Sequence, residues 1–389
     1  MENIPMATNQ YHDRKRYTWL FSLLMPCFTA SGALLYSLNG DVMSIWWPII
    51  FTYTLLPIID LLLGKDFSNP PEEAVPALEQ DPYYRWLTYA LVPMLWLGFL
   101  FNAWFFASHS LPWHAYIAGI IANGLLGGYA INLGHEMGHK RSLIERRLAR
   151  VILALVGYGH FYVEHNRGHH RDVATPEDPA SSRMGESFYR FIWREIPGAW
   201  RRAWSLEQTR LAQEGLGPWH WRNEFLQPMA LTLGYFALMA FWLGPWVLLF
   251  LLCSCGFGYL QLSSANYVEH YGLLRQKLLN GRYETCQPQH SWNSNQIFSN
   301  WAVLHLQRHS DHHAHPLRRY QSLRQMESAP QLPTGYFGMF LIAYVPPLWY
   351  ALMNPRLLAA VQHDPDRINF DPAKRAGLMA RYRLQGEVL

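Results

Sequence analysis

The chain has 389 residues, of which 50% are apolar and only 15% charged, against about 25% charged in an ordinary soluble domain. Four cysteines form no CxxC pair, and 18 histidines stand against five lysines; this excludes a disordered, collagenous or disulfide-scaffold protein and points to metal or proton chemistry. The mean hydropathy of −0.09 is an average over blocks of opposite character.

Formal charge is absent from residues 17 to 40, 42 to 59, 86 to 135 and 225 to 268. A helix crossing the roughly 30 Å hydrocarbon layer needs about 20 residues, so the first two runs predict one span each, Thr18–Leu38 and Val42–Leu63. The third run is long enough for two, Trp86–Ala107 and Pro112–Leu133, divided at Ser108-His109-Ser110-Leu111-Pro112. The fourth divides at Gly244-Pro245 into Phe225–Leu243 and Pro245–Ala265, with Pro placed where a helix start tolerates it. The first span is too long for a signal h-region, and no cleavage site follows it. Arg150–Val163 and Gly335–Leu352 are apolar but too short, or too interrupted by Pro346-Pro347, to span; interfacial or re-entrant packing is expected.

Lys and Arg set the orientation. All 32 lie in the N-terminal arm, the 64–85 loop, the 134–224 segment or beyond residue 265, and none in the three short connections on the other side. By the positive-inside rule both termini and the polar segments face the cytoplasm of an inner-membrane protein, with Trp46, Trp47, Trp113, Trp242 and Trp246 near the opposite interface. The expected organisation is a bundle over residues 1–265, including the cytoplasmic insertion 134–224, and a cytoplasmic part over 266–389, forming one functional unit. The fold class is an all-α integral membrane protein of six transmembrane helices with a cytoplasmic His-rich di-metal cap. Nothing suggests a nucleic-acid partner.

Four histidine clusters fall on the cytoplasmic side. The first, His135-Glu136-Met137-Gly138-His139-Lys140, continues the fourth span; His at i and i+4 share one helix face and can reach one cation. The second, Glu164-His165-Asn166-Arg167-Gly168-His169-His170, repeats that spacing, and its adjacent His170 would point to a second metal. The third, Asn266-Tyr267-Val268-Glu269-His270-Tyr271-Gly272-Leu273, follows the sixth span. The fourth is Leu306-Gln307-Arg308-His309-Ser310-Asp311-His312-His313-Ala314-His315-Pro316. Together His135, His139, His165, His169, His170, His270, His309, His312 and His313 make nine imidazoles, more than twice what a tetrahedral zinc accepts. They suit two metals of higher coordination number, among Fe, Cu, Ni and Zn. Glu136, Glu164, Glu269 and Asp311 are the acids available to orient those imidazoles.

Isolated histidines are usually structural or solvated, which covers His12, His109, His114, His220 and His363. His160, His290, His305 and His315 lie near the clusters and could support them. Asp60, late in the second span, is costly there unless paired and reads as structural. A His-rich metal transporter would place its ligands near the bilayer midplane on broken helices, whereas these follow the spans.

HEMGHK, EHNRGHH, NYVEHYGL and LQRHSDHHA resemble, in order and spacing, the four motifs of the membrane-bound alkane 1-monooxygenase family, within the wider membrane His-box desaturase and hydroxylase group. The resemblance covers nearly the whole chain. It implies a six-helix bundle, a non-haem di-iron centre of two Fe ions on the nine histidines, alkane and O2 as substrates, and electrons from rubredoxin, with its reductase and NADH upstream. Terminal hydroxylation of medium-chain n-alkanes to 1-alkanols is the implied activity; fatty-acid desaturation and xylene-type aromatic-methyl oxidation are the alternatives that share His boxes. The chain has no rubredoxin-type CxxCG pair. A basic C-terminal part (Arg318, Arg319, Arg324, Arg356, Lys374, Arg375, Arg381, Arg383) could steer an acidic donor or hold anionic lipid.

The metals are expected at the membrane surface, under the bundle. Helical steps of 4, 7 and 11 residues back from His135 give Ile131, Gly128 and Gly124; from His270 they give Asn266, Ser263 and Tyr259. The small members of this set would leave a substrate tunnel open, and Tyr259 would narrow it at depth. Gly124-xxx-Gly128 is equally a helix-packing pattern.

Overall fold

A computed structural model describes residues 11–384. These are helical throughout, with isolated bridges and no named β-strand among the described residues. Six helices are long and apolar enough to cross a membrane: α1 (Thr18–Asn39), α2 (Val42–Leu63), α3 (Pro82–Ser108), α4 (Trp113–Gly138), and, after the polar insertion, two more at Leu226–Leu243 and Val247–His270. The insertion contributes α5 (Leu143–Ala154), α6 (residues 161–172) and α7 (Phe188–Gln213); the last two spans are then α8 and α9. Beyond them lie α10 (Ile297–Ala302), α11 (His309–Ala314), α12 (Tyr336–Ala343) and α13 (Pro346–Ala360).

Helix lengths place the site. With 26 and 24 residues, α4 and α9 run about 39 and 36 Å, so each projects beyond a roughly 30 Å hydrocarbon layer. The predicted spans stop at Leu133 and Ala265, but the helices continue through His135 and His270. Their last turns are covered by protein, with Leu133 to Gly138 and Ala265 to His270 wholly buried, so polar side chains are tolerated there.

Close approach of α4 and α9 depends on glycine. A Cβ on Gly124 would stand 2.5 Å from Phe257 Cβ, so that position excludes a larger residue, and Gly258 lies against it, where a Cβ would come within 3.4 Å of Gly124 O. Outward faces carry the expected lipid contacts: Phe241, Trp242 and Trp246 on α8 and its turn are largely exposed, as is Trp113. Trp46 is packed inward, its Nε1 donating to His114 Nδ1 at 3.3 Å. Asp60, at the end of α2, accepts from Ser299 N at 2.9 Å and so ties α10 to the bundle. The Pro346-Pro347 break bends α12 against α13 by 120°. The pair doubles back and buries Tyr336, Phe337, Phe340 and Trp349.

Candidate metal centre

The nine motif histidines converge in two sets, buried except for the half-buried His139 and His170: His135, His139, His165, His170 and His312 in one, and His169, His270, His309 and His313 in the other, each set having its potential ligand atoms within 4.8 Å of one another. Nε2 of His312 lies 2.8 Å from that of His135 and 3.2 Å from that of His170. In the second set, His309 Nε2 is 3.2 Å from His270 Nε2 and 2.9 Å from His313 Nε2. Two nitrogens on one cation, each at about 2.1 Å and roughly at right angles, are about 3 Å apart, so these separations fit shared metals. Nε2 of His139 and of His169 is buried without a hydrogen-bond partner, a cost that a cation would remove.

The division corrects one sequence expectation. His165 and His169 were expected to share a metal at i, i+4, with His170 turned to the other. Instead residues His165–His169 form a turn of π-helix, in which i and i+5 share a face. His165 therefore joins His170, their Nε2 atoms 3.1 Å apart, and His169 crosses to the second set. On α11 the ordinary spacing holds: His309 and His313 fall together and His312 on the other side.

Burial, reinforced by the other imidazoles, holds His139, His165, His170, His309, His312 and His313 below the usual histidine range, so they are neutral and able to ligate at pH 7. His169 differs. Burial opposes its protonation, but the Asp178 carboxylate, with Oδ2 2.9 Å from Nδ1, outweighs that and raises it. Asp178 in turn accepts from Arg202 at 2.7 Å and Ser181 at 2.7 Å. It is the carboxylate that orients a cluster histidine, and it lies outside every motif, in a loop with no periodic signal.

The four motif acids have distinct places. Glu136 pairs with Lys140 at 3.0 Å and accepts from Tyr320 N. Glu164 accepts from Arg202, and Asp311 holds Arg318 Nη1 at 2.9 Å and Arg324 N at 2.9 Å. These three brace the cap. Glu269 faces the centre: its Oε2 is 3.2 Å from His309 Nε2, while Tyr336 OH donates to Oε1 at 2.8 Å. Tyr336 was not anticipated, since it is contributed by α12 from 67 residues away. His290 is 3.2 Å from Glu284, His305 3.0 Å from Tyr320 O and His315 3.0 Å from Asp311; these three and His160 lie outside both sets. Arg318, Arg319 and Arg324 of the basic tail are already paired, with Asp311, Glu145 and Glu72.

An apolar cavity ends on the two sets. Its walls include Leu125, Gly128, Tyr129, Leu262, Phe337 and Phe340, and its inner end carries His135, His165, His309 and Glu269. Asn132 and Asn266 line it too, with their amide nitrogens already engaged, donating to Val303 O at 2.8 Å and Glu195 Oε1 at 3.0 Å. Of the six residues expected along a tunnel, Gly128 and Asn266 border this cavity. The other four do not, for packing reasons: Gly124 is closed by Phe257, Ile131 is buried in the helix core, Ser263 Oγ donates to Glu195, and Tyr259 OH donates to Gly157 O at 2.9 Å.

A family model described as fatty acid desaturase matches residues 111–343, a range that includes all nine histidines. The chain is 49% identical to alkane 1-monooxygenase 1 of Alcanivorax borkumensis, over 97% of this chain and 93% of that one. It is 47% identical to alkane 1-monooxygenase of Pseudomonas putida, over 96% and 93%. The chain belongs to the alkane 1-monooxygenase family. Likeness to the hydroxylase component of a xylene/toluene monooxygenase of Pseudomonas putida is lower, 28% over 93% of this chain and 94% of that one. As a member of the alkane 1-monooxygenase family, this is a multi-pass membrane enzyme with a histidine-box metal centre, and its oxidoreductase class is that of its relatives.

Proposed function

We propose that the protein hydroxylates the terminal methyl of medium-chain n-alkanes to 1-alkanols at a non-haem di-iron centre, using O2 and electrons from rubredoxin. The observation that carries this reading is the junction of the two histidine sets with the inner end of an apolar cavity. The five-histidine and four-histidine sets would each hold one iron, and the iron pair would supply O2 activation.

The protein's own part is position and exclusion of water. Leu125, Leu262, Phe337 and Phe340 present carbon to the cavity, so an alkane dissolved in the bilayer gains by entering end-first. A chain entering end-first brings its terminal methyl to His135, His165 and His309 ahead of its internal carbons. Asp178 fixes the His169 ring, and Tyr336 fixes Glu269 beside His309. With no CxxC pair in the sequence, electrons are drawn from a rubredoxin outside these 389 residues. The distribution of Lys and Arg supports an inner-membrane location with the centre on the cytoplasmic side.

Purified protein supplied with rubredoxin, its reductase, NADH and either octane, an acyl chain or xylene tests the reading. Formation of 1-octanol is expected; activity confined to acyl chains or to xylene overturns it. The higher identity to alkane monooxygenases than to the xylene enzyme favours octane.

A further inference from the structure

Terminal hydroxylation as proposed above consumes two protons: RH + O2 + 2e⁻ + 2H⁺ gives ROH + H2O. The electrons come from rubredoxin, but the protons must enter a buried site walled by imidazoles whose metal-facing nitrogens carry none. Most buried acids near the site are paired with a cation: Glu136 with Lys140, Glu164 and Asp178 with Arg202, and Asp311 with Arg318. An acid held this way is tied to its cation and is a poor proton carrier.

Glu195 on α7 is different. It is 1% exposed, and its hydrogen bonds come from neutral donors, Ser263 Oγ to Oε2 at 2.6 Å and Asn266 Nδ2 to Oε1 at 3.0 Å. The nearest cation on its own helix, Arg194, is turned to Glu186. Glu195 borders a small second cavity with Glu164, His165, His169 and Asn266. His165 and Asn266 also border the alkane cavity, so Glu195 lies directly behind the shared wall. On the outer side, Glu164 connects through Arg202 to the partly exposed Asp172. The titratable groups facing Glu195 across the small cavity are Tyr158, His160, Glu164, His165 and His169.

We propose that Glu195 is the proton carrier for O2 reduction. In each delivery the O–H bond of its carboxyl breaks and an O–H bond forms on the oxygen being reduced. The carboxylate left behind is held by Ser263 and Asn266 and regains a proton from water on the Glu164 side, so two such cycles supply one turnover. Burial holds its carboxyl up at about 7, with the Ser263 and Asn266 bonds acting downward, so both protonation states are accessible near neutral pH.

The test compares the full-length wild type with Glu195→Gln and Ser263→Ala. Glu195→Gln keeps the shape and an acceptor for Ser263, and is expected to retain wild-type metal content. Alcohol formed per NADH should fall at least roughly tenfold, with the difference released as hydrogen peroxide, and the loss of turnover above about pH 7 should disappear. Infrared difference spectra of wild type across that range should show a titrating carboxyl C=O band that is missing in Glu195→Gln. Ser263→Ala removes a donor to the anion, so its band and its pH limb should move to higher pH. Unchanged coupling in Glu195→Gln, loss of metal from it, or no titrating band overturns the proposal. The band needs no substrate, so a wild type that oxidises no octane contradicts the function, whereas a missing band contradicts the carrier.

Discussion

At the residue scale, the identity of the nine histidines is legible in the sequence because imidazole chemistry and i, i+4 spacing coincide in four short motifs. Their partition is not, because the π-turn at His165–His169 changes the spacing that shares a face and nothing in EHNRGHH announces it. The partition makes unequal demands on neighbouring residues. His170→Ala should leave four imidazoles in its set and retain close to the wild-type metal content. His169→Ala leaves three, and should lose about one metal per chain. Elemental analysis of the two variants checks this, and equal or reversed losses would contradict the assignment. Asp178 offers a second check: Asp178→Asn keeps the size but removes the charge that orients His169, and metal affinity should drop about 10–100-fold in a chelator competition. Tyr336→Phe should retain its metals and slow turnover, because Glu269 loses the bond that steers it, a contribution of about 0.5–1.5 kcal/mol.

At the element scale, charge-free runs and the Pro and Gly breaks gave helix positions close to those observed, because lipid imposes one rule on every spanning residue. The predicted spans end at Leu133 and Ala265, and the helices run on through His135 and His270 as the motif spacing implied; that the cap buries those last turns is a tertiary effect with no local signal. The same limit applies to the tunnel. A helical face can be read from spacing, but which part of it meets a cavity depends on the partner helix, and Phe257 fills the space in front of Gly124. Leu125 tests the cavity as an element of specificity. It lies ten residues from His135, about 15 Å along α4, and borders the cavity. Leu125→Phe should shorten the longest alkane accepted and Leu125→Ala should lengthen it, as read from the product profile over an alkane series; an unchanged profile in both would remove Leu125 from the substrate path. Gly124→Ala should destabilise α4 against α9 by about 1–3 kcal/mol of overpacking, seen as a lower thermal midpoint in detergent.

At the scale of the whole molecule, the arrangement joins two solvents. The bundle meets lipid with Phe241, Trp242 and Trp246 and on the proposed function takes its substrate from the same phase, while the cap gathers histidines from α4, α6, α9 and α11 around one junction. Only the packed fold brings those four elements together, which explains why no single motif defines the centre. The account depends on that junction holding two irons. Iron counted per polypeptide by elemental mass spectrometry, on protein purified anaerobically in its active state, tests this most directly. The account predicts two irons per chain, and one iron, or zinc in its place, would contradict it.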